Sequence, residues 1–412
     1  MAAAAPHAAA SPTDVTLAFD RSSYAVPACG SAPAIVTATA NGVPAAGVPV
    51  TVLLPAGITS GGQSTITGVT DAQGRLSVPL DAGVTGVNAQ VTAMAGSATT
   101  AAGVSVNPNA TGAELRTRSG STDTLTATVP GATVVKAESN GTFTNRYVLD
   151  SSKNLRDFNN GAIVATNVVD FAPSPDVNGV RYITTTGELR TRAGSTDTLI
   201  TTVPGARVIK TESNNTFTNR YVLDSSGNLH DFNNGVIVAT NVVDFAPSPD
   251  VNGVRYITTT GELRTRAGST DTLTATVPGA TVVKTESNGT RTNRFVLDSS
   301  GNLHDFNDGV IVATNVVDFA PSPDVNGVRY ITTTGELRTR AGSTDTLVAT
   351  VPGARVIETE SNNTFTNRFV LDSSGILHDF NDGSIVATNV VDFAPSPDAN
   401  GVRYIKSATS CS

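Results

Sequence analysis

Tryptophan is absent from the 412 residues, methionine and cysteine occur twice each, and aromatic residues make up only 5% of the chain. Charged residues are also scarce, at 15%, and acidic side chains outnumber basic ones by 35 to 27, for a net charge of −8. Nothing here supplies a phosphate-neutralising basic stripe, which argues against a nucleic-acid partner. No apolar run approaches the roughly 18 residues that cross a bilayer as a helix. What is plentiful is Thr, Val, Ala, Gly, Asn and Ser, the composition of short strands joined by many turns.

The opening MAAAAPHAAAS (residues 1–11) has neither the basic start nor the uninterrupted apolar core of a secretory signal. It reads as a linker, or as a mature end whose signal peptide has been removed or replaced by Met1. Cys29 and Cys411 lie near opposite ends of the chain and lean towards an exported protein. Three arrangements stay open: two free thiols, a disulfide tying the first domain to the C-terminus, or an intermolecular bond through Cys411.

Residues 12–108 show strand alternation in place of helical spacing. VTLAF, AIVTATA, VPVTVLL, STITGVT, RLSVPL, NAQVTAMA and GVSV are short strand candidates separated by Gly, Pro, Asn and Asp. Seven strands in about a hundred residues suit an immunoglobulin-like sandwich. NGVPAAGVPVTVLLP (Asn41 to Pro55) and GVTDAQGRLSVPLDAGVTGVNAQVTAMAG (Gly68 to Gly96) resemble the bacterial Ig-like domains of invasin- and intimin-type surface proteins. The resemblance implies a spacer or display module outside a bacterial cell, with no catalytic residues. Cys29 has no partner within the domain, which excludes an inter-sheet disulfide of the antibody type.

Residues 111–412 are organised by Arg-Tyr or Arg-Phe followed by Val or Ile, at Arg146, Arg181, Arg220, Arg255, Arg294, Arg329, Arg368 and Arg403. The spacings alternate between 35 and 39, so the repeat is 74 residues long with two diverged halves. Each half carries four segments of strand propensity broken by Pro-Gly, Asn-Gly or Ser-Gly-Asn turns. Four short antiparallel strands in roughly 40 residues make one propeller blade. The expected architecture is therefore all-β, an Ig-like sandwich followed by an eight-bladed β-propeller, with an open solenoid as the alternative. The region starts at Glu114-Leu115-Arg116 without a preceding Val-Arg-Tyr-Ile, and Val402 to Ile405 is that strand with nothing after it, so the two ends are expected to complete one blade. Similarity to WD40- or tachylectin-type propellers lies in repeat length and strand count alone.

The innermost strands are expected to be ARVIKTES in one half and NVVDFAPS in the other. Aligning them puts Lys136, Asp170, Lys210, Asp244, Lys284, Asp318, Glu358 and Asp392 in one register, with signs that alternate and pair across blades except at Glu358. The competing reading points these side chains between blades or to solvent.

No catalytic constellation or cofactor motif emerges. His230, His304 and His378 occupy one blade position, where the first repeat has Arg156, and a ring would hold them too far apart for a shared metal. DFNNG and DFNDG lack the further ligands of a calcium loop and read as hairpin turns. SPDVNGVRY has only a superficial likeness to a sialidase Asp-box. What remains is a polar rim, where Asn214, Asn215, Thr216, Phe217 and Asn219 stand near Arg192 and Asp197, with Phe143 and Phe365 equivalent to Phe217 and Arg291 in the third repeat. Amides and hydroxyls beside an aromatic face suit sugar recognition; the alternative is that each Phe pins its loop. Asn140, Asn214, Asn288 and Asn362 head Asn-x-Thr triplets. Taken together, these features predict a non-enzymatic, exported bacterial surface protein that binds glycan or another cell-surface polymer through repeated loops. The competing prediction is a structural subunit of an extracellular filament or sheath, docking on copies of itself through its N-terminal tail or first domain.

Overall fold

The computed structural model describes residues 15–83, 86–107, 112–139, 141–213, 216–287, 290–361 and 364–407, and every regular element among them is a β-strand. Cys411, Asn214, Asn215, Asn140, Asn288, Asn362 and the 1–11 segment lie outside the described residues. Two compact units divide the chain, Met1–Ala113 with Ser407–Ser412, and Glu114–Lys406.

The first unit contains β1 (Val15–Phe19), β2 (Ser23–Pro27), β3 (Ser31–Ala40), β4 (Val43–Pro44), β5 (Pro49–Leu53), β6 (Ile58–Thr59), β7 (Thr65–Val69), β8 (Arg75–Ala82), β9 (Val87–Ala95) and β10 (Ala98–Asn107). One sheet runs β1-β3-β8-β6 with β4 on β3; the other runs β2-β10-β9-β5-β7. Alternation decides which side chains go inside: Ala34, Val36 and Ala38 of β3 are fully buried, while the residues between them are not. They join Val50, Val52, Val78, Leu80 and Val91 in one apolar cluster drawn from both sheets. Each buried Val or Leu of this cluster contributes about 1.5–3 kcal/mol. Ser23–Pro27 is a strand that the sequence did not announce. It is short and ends in Pro27, and it pairs parallel to β10 at the sheet's edge, where a missing N–H is tolerated.

The second unit is eight four-stranded antiparallel sheets. In the second repeat, one sheet is Ala206–Ser213, Thr218–Asp224, Leu229–Asp231 and Ile237–Ala239, and the next is Val242–Pro247, Gly253–Thr258, Glu262–Ala267 and Thr270–Thr276. Seven sheets are contiguous in sequence. The eighth pairs Ala113–Ser119 with Gly401–Lys406, setting Leu115 opposite Ile405 and Arg116 opposite Tyr404. The core lies between neighbouring sheets. Ile183 and Leu189 of one sheet meet Ile209, Val222 and Phe232 of the next, and the far side of that next sheet gives Leu223 and Leu229 to Phe245 and Tyr256.

The recurring arginines explain why the sheets are spaced as they are. Arg181, Arg255, Arg329 and Arg403 are the largest side chains buried almost completely, at 1–2% exposure. Each reaches the Asp of its own Ser-Pro-Asp loop, and that Asp also meets an arginine of an adjacent sheet. Asp176 lies 2.6 Å from Arg181 and 3.0 Å from Arg220, and Asp324 lies 2.7 Å from Arg329 and 3.3 Å from Arg368. Asp250 serves Arg255 and Arg294, and Asp398 serves Arg403 and Arg146. Burial opposes ionisation of Asp250, yet Arg255, Ser248 and Arg294 hold its carboxyl below the ordinary range. The same loop is fastened by Asn219, whose amide donates to the carbonyls of Ser248 at 2.7 Å and Val251 at 2.8 Å. Its Asn-Gly pair is required by close approach and has no left-handed glycine, since a Cβ on Gly253 would sit 1.8 Å from the carbonyl oxygen of Arg266.

The three histidines are latches. His230 directs Nε2 to Asp224 at 3.0 Å and Nδ1 to the Gly235 carbonyl at 2.9 Å, and His304 and His378 repeat this. In the first repeat Arg156 bridges the equivalent Asp150 and Gly161 carbonyl, at 2.8 and 2.9 Å.

Asp250→Ala leaves two guanidiniums without their carboxylate and should cost about 3–5 kcal/mol in urea unfolding; a wild-type midpoint would show that the triad does not hold the sheets. His304→Arg, which copies the Arg156 solution, should lower the midpoint far less than His304→Ala.

Candidate functional site

The first strands of all eight sheets line one cavity of about 490 Å³. Its wall begins with the residues that share one register in the sequence. Lys136 donates to Asp170 at 2.7 Å, Lys210 to Asp244 at 2.8 Å and Lys284 to Asp318 at 2.7 Å. Each ammonium also donates to the backbone carbonyl of the following Phe and sits about 5 Å from its ring, as Lys210 does over Phe245. The second oxygen of each Asp accepts the backbone N–H of the next sheet's first strand. Asp170 takes Ile209, Asp244 takes Val283, Asp318 takes Ile357 and Asp392 takes Val135. The chain of ion pairs and hydrogen bonds breaks between Glu358 and Asp392, two acidic groups facing one another. Burial and then Asp392 push Glu358 up to about 8, and burial pushes Asp392 up to about 6.

Two residues beyond each of these Lys and Glu positions stands another glutamate: Glu138, Glu212, Glu286 and Glu360, all lining the cavity. Their exposure is intermediate, and the first strands of the eight sheets surround the cavity they face. Enclosure dominates their titration. Burial, followed for Glu138 by the charge of Glu286, pushes Glu138 and Glu286 up to about 7, and the same causes raise Glu212 and Glu360 well above the ordinary carboxylate range.

A second type of cavity repeats around the unit. Strand alternation puts Glu188 and Arg190 on one face. Arg190 Nη1 donates to Glu188 at 3.3 Å and its Nε to Asp197 at 3.2 Å, and the Tyr182 hydroxyl donates to the same Asp197 oxygen at 2.8 Å. Thr184 pairs with Thr186 at 2.9 Å and accepts the N–H of Glu188. The opposite wall is Ile163–Ala165, the last strand of the preceding sheet, where Ile163 is 51% exposed. Together they enclose a cleft of about 480 Å³, and the equivalent cleft at Glu336, Arg338 and Asp345 holds about 320 Å³. The network recurs at Glu262, Arg264, Asp271 and Tyr256.

Of the rim residues expected from sequence, Asp197 is in this cleft. Arg192 is beneath it, with Nη1 on the Val164 carbonyl at 3.0 Å, a bond that ties the two sheets together. Asn219 must be removed from the ligand set, because it is 2% exposed and both its amide bonds clamp a loop. Phe143, Phe217 and Phe365 are half-buried at the start of their strands, with their carbonyls held by Ser139, Ser213 and Ser361, and Thr216 is exposed. Tyr182, Glu188 and Arg190 were not foreseen, since ELRTRAG and VRYITTT read only as strands. The available signal was the polar alternation Glu-x-Arg on a strand whose next turn carries an Asp. Among the described residues, no group of three or more His, Cys, Asp or Glu is placed to hold a metal ion. The Asp of each DFNNG turn accepts from its own loop, as Asp231 does from the Asn233 N–H at 2.7 Å.

The raised glutamates fix a pH dependence. A carboxyl whose folded pKa exceeds its unfolded value of about 4.3 contributes stability that is complete below that value and lost as pH rises through the folded one. Urea midpoints should therefore fall between about pH 4.3 and 8, a window above that of the lowered carboxyls such as Asp250 and Asp324. Glu358→Lys should raise the midpoint and flatten the upper part of the fall; a midpoint unchanged or lowered at pH 8 would show that the break is not electrostatic.

No protein-family model matches the chain, and no curated protein matches it in sequence. Among solved structures, it is similar to the computationally designed Ika8 protein, at 11% identity and a TM-score of 0.46 over 69% of this chain and 99% of that one. It is also similar to the type-IX secretion component PorZ of Porphyromonas gingivalis, at 10% identity and a TM-score of 0.33 over 67% and 38% of the two chains. The D0–D1 domains of intimin give 16% identity and a TM-score of 0.19 over 52% and 91%.

Proposed function

We propose that this is a non-enzymatic, exported bacterial surface protein in which an Ig-like sandwich carries an eight-bladed propeller that binds glycan or another surface polymer at several equal places. What supports a propeller is the single cavity lined by all eight first strands, together with a sheet built from both ends of the repeat region. The functional reading rests on one observation, the recurrence of the same polar side-chain network in three repeats, with an open cleft at Glu188 and at Glu336. Packing needs the buried residues to repeat, the Thr of each network among them; it does not require the same partly exposed Glu and Asp to recur. A rigid body that shows one weak site several times gains avidity on a polymer through effective concentration. Export rests on the invasin-like phrases in the first unit.

A second reading, self-assembly into a filament or sheath, is favoured by Leu125, Leu199, Leu273 and Leu347. They lie on edge strands whose outer side pairs with no strand among the described residues, and each is nearly half exposed. Such edges are templates for pairing with another chain.

Co-sedimentation with insoluble bacterial wall polysaccharides, alongside light scattering of the protein alone, separates the two. The intact chain should pellet with polymer and remain monomeric without it. A chain that stays in the supernatant with every polymer sinks the binding function, and concentration-dependent assemblies that dissolve when the four leucines are changed to Lys establish the structural one.

A further inference from the structure

We infer that the clefts are saccharide sites, three in number and equal, each selecting a neutral sugar unit through a vicinal pair of hydroxyls. This rests on the surface-binding reading above and names the site and the ligand class.

The argument begins with what each network leaves unused. Asp197 spends Oδ2 on Tyr182 and Arg190, and among the described residues none bonds its Oδ1. Glu188 spends Oε2 on Arg190 and leaves Oε1. Arg190 uses Nε and Nη1 and leaves Nη2. Every cleft thus presents two carboxylate acceptors flanking a guanidinium donor, held in place by bonds on their other atoms. Adjacent sugar hydroxyls complement that order, since each O–H donates to a carboxylate while its oxygen accepts from the guanidinium. The facing wall of Ile163, Val164 and Ala165 supplies an apolar surface for the C–H face of the ring. Tyr182 is 2% exposed, so stacking on an aromatic ring plays no part.

Charge narrows the class. Two carboxylates and one guanidinium leave each cleft net negative, which disfavours uronic acids, sialic acids and phosphorylated sugars. The number follows from the sheet that joins Ala113–Ser119 to Gly401–Lys406. There Glu114, Arg116, Asp123 and Tyr404 recreate the carboxylate network, but Lys406 takes the place that Thr184 holds in the equivalent sheet, each lying opposite the first Val of the neighbouring strand. Arg116 also contacts both oxygens of Asp123, consuming the acceptor that the other clefts leave open. The side-chain networks at Glu188, Glu262 and Glu336 are therefore alike and the fourth is different.

Isothermal titration of the intact chain tests this with soluble cello-, manno-, xylo- and galacto-oligosaccharides of four to six units, and with oligogalacturonate as the acidic comparison. At least one neutral series should bind at three equal sites, and oligogalacturonate should bind at least tenfold more weakly. Glu188→Ala, Glu262→Ala and Glu336→Ala, added one at a time, should reduce the count to two, one and none. The triple variant should lose about a hundredfold in affinity for the corresponding polymer. These glutamates are more than a third exposed, and thermal unfolding checks that each variant folds. If the alanine series does not fold, the Glu→Gln series, which keeps the side-chain volume, gives the same count. A triple variant that still binds three oligosaccharides overturns the cleft assignment and leaves polymer binding standing. An intact chain that binds neither oligosaccharide nor polymer overturns both, and tighter binding of the acidic oligomer overturns the neutral class.

Discussion

One carboxylate held between two guanidiniums from neighbouring sheets, repeated four times, is the interaction on which the second unit depends. Each of these aspartates sits on a loop that the preceding sheet also grips through an asparagine amide, so loop, arginine and neighbouring sheet are fixed together. A buried guanidinium without its partner would be worse than none, because desolvation is incurred and no Coulomb attraction offsets it. The eight arginines carry a further burden, since the Nε of each is buried without a partner among the described residues. That makes the shared aspartate the least replaceable residue of the repeat, and it explains why Arg-Tyr or Arg-Phe recurs with so little change. Arginine and aromatic point to opposite faces of one strand, so the dipeptide seals both inter-sheet boundaries at once.

The inner layer solves a related problem differently. Lysine bridges to aspartate, and that aspartate's second oxygen receives the next sheet's backbone N–H, so charge pairing and strand register are set by the same group. A one-residue slip would lose both. Glu358 shows what the device tolerates. Facing Asp392 with no ion-pair partner among the described residues, its carboxyl is pushed towards the protonated form, which relieves the repulsion.

Much of this was legible in the sequence because repetition turns a local pattern into a count. The period of 74, the four strands per half and the register of Lys210 against Asp244 all follow from hydrophobic alternation and turn residues, which act locally. Asn219 and Arg192 were misjudged for the opposite reason. Polar residues next to turns look available in one dimension, and only packing against a neighbouring sheet shows that one clamps a loop and the other ties two sheets. The clefts were hidden for the same cause, since their walls come from strands far apart in sequence, Ile163–Ala165 and Glu188–Ala193 among them.

The difference between the repeats' exposed parts and the sheet made from both chain ends is itself informative. Lys136 and Glu358 occupy the same position in different repeats, as do Arg156 and His230, so the chain accepts changes where a second chemistry can satisfy the same neighbours. The clefts follow a stricter rule. Glu188, Arg190, Asp197 and Thr184 recur without change in the next two repeats, although none of them closes a hydrophobic core. The first departure, Lys406, falls in the sheet that joins Ala113–Ser119 to Gly401–Lys406. Variation thus collects where geometry permits it and at the seam, while the open clefts are held constant. Packing accounts for Thr184, which is 8% exposed, and in part for Arg190, but not for Glu188 and Asp197, whose side chains are 37% and 30% exposed and contribute little to stability as surface charges.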